Sequence, residues 1–240
     1  MILKGHSGCS LELVNKNTVR KTSKDNSYNT RLLAQMGKQE KFCHPTVRAP
    51  RVFDYGMKNG LAYFDMEYVR GVSFSEFCSY TSYRKVEKLF CKLLPTETQT
   101  RCCRDEIIKK CSFLEGFPSQ LLELVSWEIP VGECHGDLTF ENIIVKDNSL
   151  YVIDFLDSFV ESSLIDQSKL MQDTFCAWSF KDSNYVPWHH LYMLNSLIQD
   201  KRNYILLLIH LYRILPYSNE TTKKFIKCKI LNVTNKIEMF

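Results

Sequence analysis

Residues 134–145 read Cys-His-Gly-Asp-Leu-Thr-Phe-Glu-Asn-Ile-Ile-Val, and the interpretation of the whole chain starts from them. Residues 150–157 continue as Leu-Tyr-Val-Ile-Asp-Phe-Leu-Asp. Two short β-rich runs, 142–145 and 150–153, are separated by Lys-Asp-Asn-Ser, which is typical of a tight turn. We therefore predict a β-hairpin that is preceded by a polar loop and followed by an aspartate.

Three polar side chains fall at the same end of this predicted hairpin: Asp137 in the loop, Asn142 where the first strand begins, and Asp154 directly after the second strand. Two carboxylates and an amide are oxygen ligands of the kind that Mg²⁺ prefers. The spacing is also that of kinases, in which the loop Asp accepts the proton of the substrate while the Asn and the second Asp hold the metal. It predicts Asp137 and Asn142 as catalytic residues, and Asn142 and Asp154 as metal ligands.

The loop reads His-Gly-Asp-Leu-x-x-x-Asn rather than the His-Arg-Asp of protein kinases. It resembles the aminoglycoside phosphotransferase and choline kinase-like family, whose fold is related to that of protein kinases. The resemblance covers most of the chain and is strongest at 134–157. It implies an α+β, protein-kinase-like two-lobed fold, with a sheet-rich N-lobe at 1–70, a helical C-lobe at 71–240, and ATP or GTP with Mg²⁺ as cofactors.

Two glycines near the start of the chain, Gly5 and Gly8, separate the first two predicted strands. A glycine loop lets backbone N–H groups approach phosphates closely, so we predict that both residues bind the nucleotide. An ordinary turn is the alternative, since this loop is shorter than the glycine loop of kinases.

A lysine on the third predicted strand, Lys21, is the candidate for pairing with the nucleotide phosphates. Strand alternation places Lys21 on the same face as the apolar Val19, which favours an inward side chain. The alternative is an exposed strand lysine, in which case Arg20 or Lys24 would be the next candidates.

The segment 29–42 has helical spacing of its apolar residues. In a kinase-like fold this helix supplies an acid that orients the strand lysine. Glu40 is the one acid of the helix, but it lies 19 residues after Lys21, whereas the neutral Gln35 stands at a more usual distance. The sequence leaves open which of the two contacts Lys21.

Residues 66–71 resemble the hinge between kinase lobes, where backbone groups bind the edge of adenine. We accordingly predict Glu67 and Tyr68 as nucleotide-binding residues, and a helical pattern over 73–127. A strand followed by a helix start is the plainer interpretation, and it is compatible with a hinge.

Two further acids follow the hairpin. The resemblance implies an aspartate at the start of the next helix that anchors the backbone of the catalytic loop, and Asp166 matches that position; a helix N-cap is an equal interpretation, which does not exclude the anchoring role. Asp157 either contacts the acceptor substrate or is a solvated loop acid.

Composition limits the class of protein. The 240 residues carry a net charge of +4 without a long basic run, which gives no support for a nucleic-acid partner. The ten cysteines include no Cys-x-x-Cys pair, so we expect reduced thiols. Residues 1–6 lack the pattern of a signal peptide, and the apolar stretch 204–211 is too short to span a bilayer. We expect a cytoplasmic protein without a membrane partner; the oligomeric state is not predicted.

The predicted function is transfer of the γ-phosphoryl group of ATP or GTP to a hydroxyl of a small molecule, such as a sugar or an amino alcohol. A protein acceptor is disfavoured because no Ala-Pro-Glu element or activation loop follows Asp154. Two alternatives stay open: a nucleotide-binding pseudokinase that acts as a scaffold, and a metal-dependent phosphohydrolase that uses Asp137, Asp154 and His135.

Overall fold

The computed structural model describes residues 2–3, 9–94 and 99–240, so the predicted phosphate-binding Gly5 and Gly8 lie outside the described residues. The strands are β1 (Ile2–Leu3), β2 (Cys9–Asn15), β3 (Thr18–Ser23), β4 (Val47–Arg48), β5 (Val52–Lys58), β6 (Leu61–Glu67), β7 (Val72–Ser73), β8 (Thr100–Cys102), β9 (Glu128–Pro130), β10 (Ile143–Lys146) and β11 (Ser149–Val152). The α-helices are α1 (Asn29–Lys41), α2 (Phe74–Tyr80), α3 (Tyr83–Phe90), α4 (Arg104–Cys111), α5 (Ser163–Thr174), α6 (Trp188–Asn195), α7 (Lys201–Ile214) and α8 (Glu220–Glu238). The α+β prediction is confirmed, with a sheet-rich N-terminal part and a helical C-terminal part.

The chain forms two compact units. The first unit comprises Met1–Phe77 and Glu141–Asp157, and the second comprises Cys78–Phe140 and Ser158–Phe240. This division differs from the contiguous lobes predicted at 1–70 and 71–240, because strand β10 of the hairpin pairs with β7 and the hairpin is thereby counted with the first unit. The lobe boundaries themselves remain a prediction.

The first unit contains a five-stranded antiparallel sheet in the order β1-β2-β3-β6-β5. Alternate side chains of β3 are buried, beginning with Val19. Val19 shares an apolar core with Phe64 of β6 and with Leu32 and Met36 of α1. Helix α1 therefore packs on the sheet face that carries the buried residues of β3.

A smaller sheet in the same unit holds the predicted hairpin, in the order β4-β11-β10-β7. Ile143 pairs with Val152, and Lys146 pairs with Ser149. The connecting Asp147 and Asn148 have φ values of +48° and +62°. Two consecutive positive φ values are those of a type I′ turn, which matches the right-handed twist of the strands. The predicted hairpin and its turn are confirmed.

Gly71 gives the first testable prediction, because it lies directly against the hairpin. A Cβ atom at Gly71 would lie 2.6 Å from Ile144 Cγ2 and closer still to the carbonyl oxygen of Val145. We expect Gly71→Ala to lower the free energy of unfolding by about 1–3 kcal/mol, as overpacking does. Thermal unfolding followed by circular dichroism measures the effect.

The matched control is Gly37 of α1, where a Cβ atom would meet nothing within 4 Å. Gly37→Ala is expected to raise the free energy of unfolding by about 0.5–1 kcal/mol, since alanine loses less conformational entropy than glycine in a helix. Equal effects of the two substitutions would contradict the close packing of Gly71 on the hairpin.

The helical pattern predicted over 73–127 is only partly correct, because this region also contains strand structure. Helices α2, α3 and α4 are present, but strands β8 and β9 pair with each other, Thr100 lying opposite Pro130. The segment Ser119–Leu124 is a 3₁₀ helix, which ends where the Trp127 indole N–H donates to the Leu122 carbonyl at 2.9 Å. The β8–β9 pairing was not predictable from local spacing, because it joins three-residue strands that are far apart in the chain.

Helix α7 forms the centre of the second unit. Every residue from position 203 to position 211 is buried, as expected for a helix that is apolar on nearly all sides, and α7 contacts both α5 and α8. Within the part of the chain that the structure describes, no helix combines the length and the apolar character that crossing a membrane requires. The C-terminal segment Glu220–Glu238 is helical and forms α8.

None of the ten cysteines, all of which lie in the described residues, forms a disulfide, and six of them are buried. Burial raises the pKa of the thiols of Cys78, Cys111 and Cys176 to about 12, because the thiolate is poorly solvated there. These three side chains act as small apolar groups of the core.

Candidate active site

Lys21 of β3 is a buried cation whose ammonium contacts the aspartate at the end of the hairpin. Only 2% of the residue is exposed, and its Nζ lies 2.6 Å from Asp154 Oδ1. A second contact joins Nζ to Gln35 Oε1 at 3.2 Å. The predicted inward orientation of Lys21 is confirmed. Because a buried ammonium is unfavourable without a counter-charge, the ion pair to Asp154 is what allows the lysine to lie inside.

Gln35, not Glu40, is the α1 residue that contacts Lys21. Gln35 is buried, whereas Glu40 is exposed on the same helix. The Gln35 amide Nε2 donates to the Tyr28 hydroxyl at 3.2 Å, which leaves its oxygen turned to the lysine. The helix therefore supplies a neutral acceptor, and the negative charge beside Lys21 comes from the hairpin.

The two other candidates for the strand lysine have different surroundings. Arg20 forms a two-point ion pair with Asp65, at 2.7 and 2.8 Å, and the hydrogen bond to Asp65 raises the pKa of Arg20. Lys24 is exposed. The ion pair at 2.6 Å is what assigns Lys21 to the hairpin aspartate.

Asn142 and Asp154 come together at the end of the hairpin. The Ile153 N–H donates to the Asn142 carbonyl at 3.0 Å, which continues the ladder one pair beyond β10 and β11. Asp154 follows with φ +63°, a left-handed conformation that costs most residues about 1–2 kcal/mol and that Asp tolerates better than most. Its side chain is 35% exposed.

The two side chains at this end of the hairpin are of the types that a magnesium ion takes as ligands. Asn142 and Asp154 provide an amide and a carboxylate, and Mg²⁺ is commonly held by one or two carboxylates together with phosphate oxygens. Across the described ranges no three His, Cys, Asp or Glu side chains cluster as a ready-made metal site. Asp157, a few residues further, is exposed, and its role stays a prediction.

Asp137 belongs to the second unit, in a loop of residues 134–140 that we call the Asp137 loop. Helix α5 holds the start of this loop: the Asp166 carboxylate accepts the His135 N–H at 2.6 Å and the Gly136 N–H at 2.8 Å. The predicted anchoring role of Asp166 is confirmed. Its N-cap alternative is wrong, since Ser162 caps α5 through the Leu164 N–H.

Two more side chains of α5 contact the Asp137 loop. Lys169 Nζ lies 2.9 Å from Asp137 Oδ1. The fully buried Asp173 accepts the Phe140 N–H at 2.7 Å through Oδ2 and the Ser179 N–H at 2.7 Å through Oδ1. The loop is thus bound to one helix at its start, at the Asp137 side chain and at its end.

The predicted hinge residues line a pocket in the first unit. Glu67 and Tyr68 border a cavity of about 410 Å³, together with Asn17, Arg51, Phe53, Arg70 and Lys146. Their backbone N–H groups donate to the carbonyls of Arg51 and Asn17, both at 2.8 Å. These two N–H groups are therefore not available for the adenine contacts predicted for Glu67 and Tyr68.

The sequence itself matches no family model and no curated protein. Solved structures match nearly the whole chain. A thermostable mutant of aminoglycoside phosphotransferase APH(4)-Ia without ligand aligns with a TM-score of 0.65 and 14% identity, over 98% of this chain and 94% of that one. The chain has the aminoglycoside phosphotransferase fold.

Two ligand complexes share this phosphotransferase fold. APH(4)-Ia with ADP and hygromycin B matches with a TM-score of 0.61 and 13% identity, over 98% of this chain and 92% of that one. The gentamicin complex of APH(2'')-IIa matches with a TM-score of 0.56 and 14% identity, over 100% and 90%. The predicted protein-kinase-like, two-lobed fold class is thereby confirmed.

Within this phosphotransferase fold, Lys169 and the structural role of Asp173 were missed at the sequence level. Asp166, Lys169 and Asp173 stand at positions i, i+3 and i+7, which share one face of a helix. That spacing was available as a signal. It could not show that the face packs on the Asp137 loop, since this contact joins segments about 30 residues apart in the chain.

Proposed function

We propose that this protein is a phosphotransferase that moves the γ-phosphoryl group of ATP or GTP to a hydroxyl of a small molecule. The observation that carries the proposal is the buried Lys21 with its Nζ 2.6 Å from Asp154, at the end of a hairpin that also holds Asn142. An inward cation beside a carboxylate that can bind Mg²⁺ is suited to binding a nucleoside triphosphate. The shared fold with a protein that binds ADP supports the same assignment.

Each site residue has a separate role in this proposal. Lys21 neutralises phosphate charge, and Asn142 and Asp154 hold the Mg²⁺, which supplies charge neutralisation at the phosphates when it is bound. Asp137 accepts the proton of the acceptor hydroxyl while the new O–P bond forms and the bond to the leaving nucleoside diphosphate breaks. The rate comes from alignment and charge stabilisation, because phosphoryl transfer requires little covalent chemistry of the protein.

The remaining nucleotide contacts are part of the same proposal. Gly5 and Gly8 would approach the phosphates with backbone N–H groups, and Glu67 and Tyr68 would bind the base. Since the N–H groups of both Glu67 and Tyr68 already donate to backbone carbonyls, we expect these two residues to accept hydrogen bonds from the base. The exocyclic amino group of adenine is the donor that such carbonyls suit.

We propose a sugar or an amino alcohol as the acceptor rather than a polyamine such as an aminoglycoside. An aminoglycoside site needs several available acids to bind its amines. Asp173 is fully buried and bonded to two backbone N–H groups, and the Glu161 carboxylate accepts the Cys134 N–H at 3.3 Å. Two of the acids that could form an amine-binding cluster are thus already hydrogen-bonded to backbone N–H groups of this chain.

The decisive experiment measures nucleoside diphosphate formation from MgATP and MgGTP, with and without a panel of sugars, amino alcohols and aminoglycosides. We expect at least one sugar or amino alcohol to stimulate turnover and to appear phosphorylated by mass spectrometry. Release of inorganic phosphate that no acceptor changes would instead indicate a phosphohydrolase. Nucleotide binding without turnover for any acceptor would favour the pseudokinase scaffold, which the neutral Gln35 beside Lys21 makes the second candidate.

Lys21 provides the binding prediction. A ligand that binds only the folded state raises the melting temperature, by about 5–10 °C for this chain length at roughly 100 times the Kd. We expect this shift with MgATP or MgGTP, and we expect Lys21→Met to remove most of it, because the substitution keeps the side-chain length and deletes the charge that faces the phosphates. Differential scanning fluorimetry measures both.

The matched control for this prediction is Lys24→Met, which deletes an exposed lysine of the same segment. It should keep the full nucleotide-induced shift. An identical shift in wild type and Lys21→Met would show that Lys21 is not the phosphate-binding lysine. No shift in the wild type with either nucleotide would contradict the proposed function.

A further inference from the structure

Lys169 is a buried cation with a reactive carboxylate as its counter-charge. Only 7% of the residue is exposed, and its Nζ lies 2.9 Å from Asp137 Oδ1. The ammonium also donates to a neutral group, the side-chain oxygen Oε1 of the buried Gln172, at 3.3 Å. Because an ammonium is costly to bury without a negative partner, the Asp137 carboxylate is held close to Lys169.

The other charged groups of helix α5 already have backbone partners. Asp166 accepts two N–H groups at the start of the Asp137 loop, and Asp173 accepts the Phe140 N–H at its end. These contacts suffice to fix the backbone of the loop. Lys169 is placed between them on the same helical face and contacts the one side chain of the loop to which proton transfer is assigned.

The two imidazoles near the Lys169–Asp137 pair, those of His210 and His135, do not provide the counter-charge for either member of the pair. His210 of α7 is buried beside Ser168, with Nε2 3.0 Å from the Ser168 hydroxyl. Its pKa is lowered well below the usual value, first by burial and then by the charges of Lys169, Arg213 and Lys110, so His210 is neutral at neutral pH. On the other side, the His135 ring nitrogen Nδ1 accepts the Asp137 N–H at 3.2 Å.

A buried ion pair by itself contributes little net stability, since an apolar pair of similar volume is often as stable. We propose that Lys169 is a positioning residue for Asp137, whose ammonium holds the carboxylate by Oδ1 in one orientation and in the ionised form that accepts a proton. The inference rests on the proposed function, because it assigns a role within that phosphoryl transfer. Lys169 keeps its own proton throughout: the acceptor proton passes to Asp137, and the electron pair of the broken O–P bond leaves with the nucleoside diphosphate.

The first test is Lys169→Met, which deletes the charge and nearly keeps the volume. We expect kcat to fall about tenfold or more, as for a misaligned or wrongly protonated general base. The KM for MgATP should change less than about twofold, because none of the residues proposed to bind the nucleotide lies on α5. The acid limb of the pH–kcat profile should move to higher pH, since loss of a neighbouring cation disfavours the ionised carboxylate.

The matched control is Lys110→Met, which deletes a half-buried lysine of the same unit that, like Lys169, lowers the pKa of His210. It should leave both kcat and the pH profile unchanged. In a second variant, Lys169→Ala, added ethylammonium should restore part of the lost kcat, whereas sodium chloride at equal ionic strength should not. This rescue does not depend on whether Lys169→Met folds well.

A double-mutant cycle gives a readout that needs no activity. Lys169→Met and Asp137→Asn are each expected to lower the melting temperature, and the double variant should be less destabilised than the sum, because each single change leaves one member of the pair without its partner. Additive shifts would overturn the pairing on which the inference rests.

The outcomes separate the inference from the proposed function. Coupling in the cycle with unchanged kcat and pH profile in Lys169→Met would overturn the positioning role while wild-type phosphoryl transfer stands. Absence of phosphoryl transfer in the wild type would overturn the proposed function itself, whatever Lys169→Met does to stability. A loss of kcat with a shifted acid limb and rescue by ethylammonium supports the inference.

Discussion

Asp137→Asn is expected to lower acceptor-dependent turnover by about two to four orders of magnitude, as for loss of a general base. The affinity for MgATP should stay within about twofold, because the role assigned to Asp137 concerns the acceptor hydroxyl and not the metal. The asparagine keeps the size of the side chain. It removes both the proton acceptor and the carboxylate that pairs with Lys169 at 2.9 Å.

Steady-state formation of nucleoside diphosphate and titration calorimetry with MgATP, run in parallel, test this expectation. Glu141→Gln is the matched control, since it deletes an exposed carboxylate only four residues away and should keep full turnover. Wild-type activity in Asp137→Asn would contradict the proposed mechanism, and a large loss of MgATP affinity would place Asp137 at the metal instead.

Asp154→Asn is expected to lose both binding and turnover. The affinity for MgATP should fall about 10- to 100-fold, because the change removes a charged oxygen ligand from a hard cation. Turnover should fall by about two to three orders of magnitude, as for removal of a group that stabilises charge in the transition state. Asparagine is the appropriate replacement because, like Asp, it tolerates the left-handed φ of +63° at this position.

Calorimetry with ATP in the presence and absence of Mg²⁺ separates the two contributions to this loss. The loss should concern the Mg²⁺-dependent part of the affinity. Asp147→Asn is the matched control, because Asp147 also has a positive φ, is exposed and lies in the turn at the opposite end of the hairpin. If Asp154→Asn bound MgATP as tightly as the wild type, Asp154 would not be a metal ligand.

The pair of variants also distinguishes the candidate functions. A kinase should lose MgATP affinity in Asp154→Asn and retain it in Asp137→Asn. A two-metal phosphohydrolase should lose metal affinity in both, since both carboxylates would then be ligands. A pseudokinase scaffold has no turnover to lose, and its binding of a partner should survive Asp137→Asn.

Several features of the fold could be predicted because they depend on local patterns. The hairpin was readable from two β-rich runs around Asp147 and Asn148, residues that adopt the positive φ of a type I′ turn. The burial of Lys21 followed from strand alternation with Val19. The anchoring by Asp166 came from a family resemblance rather than from local physics.

Other features could not be predicted, because they depend on which segments meet. Whether Gln35 or Glu40 contacts Lys21 depends on how α1 is oriented about its own axis on the sheet. Spacing along the chain does not determine that orientation. The β8–β9 pairing joins Thr100 to Pro130 across an intervening helix. Three-residue strands carry too few side chains for periodicity to reveal them.

By itself, the sequence determined the hairpin, the inward lysine and the position of Asn142 and Asp154 at one end of that hairpin, because turn chemistry and strand alternation act between near neighbours. Only the tertiary structure decided that Gln35 and Asp154 are the partners of Lys21, and that Lys169 is the partner of Asp137. The physical reason is that a buried charge must find its counter-charge in space. For Lys21 that partner lies 133 residues away along the chain, where no local pattern can indicate it.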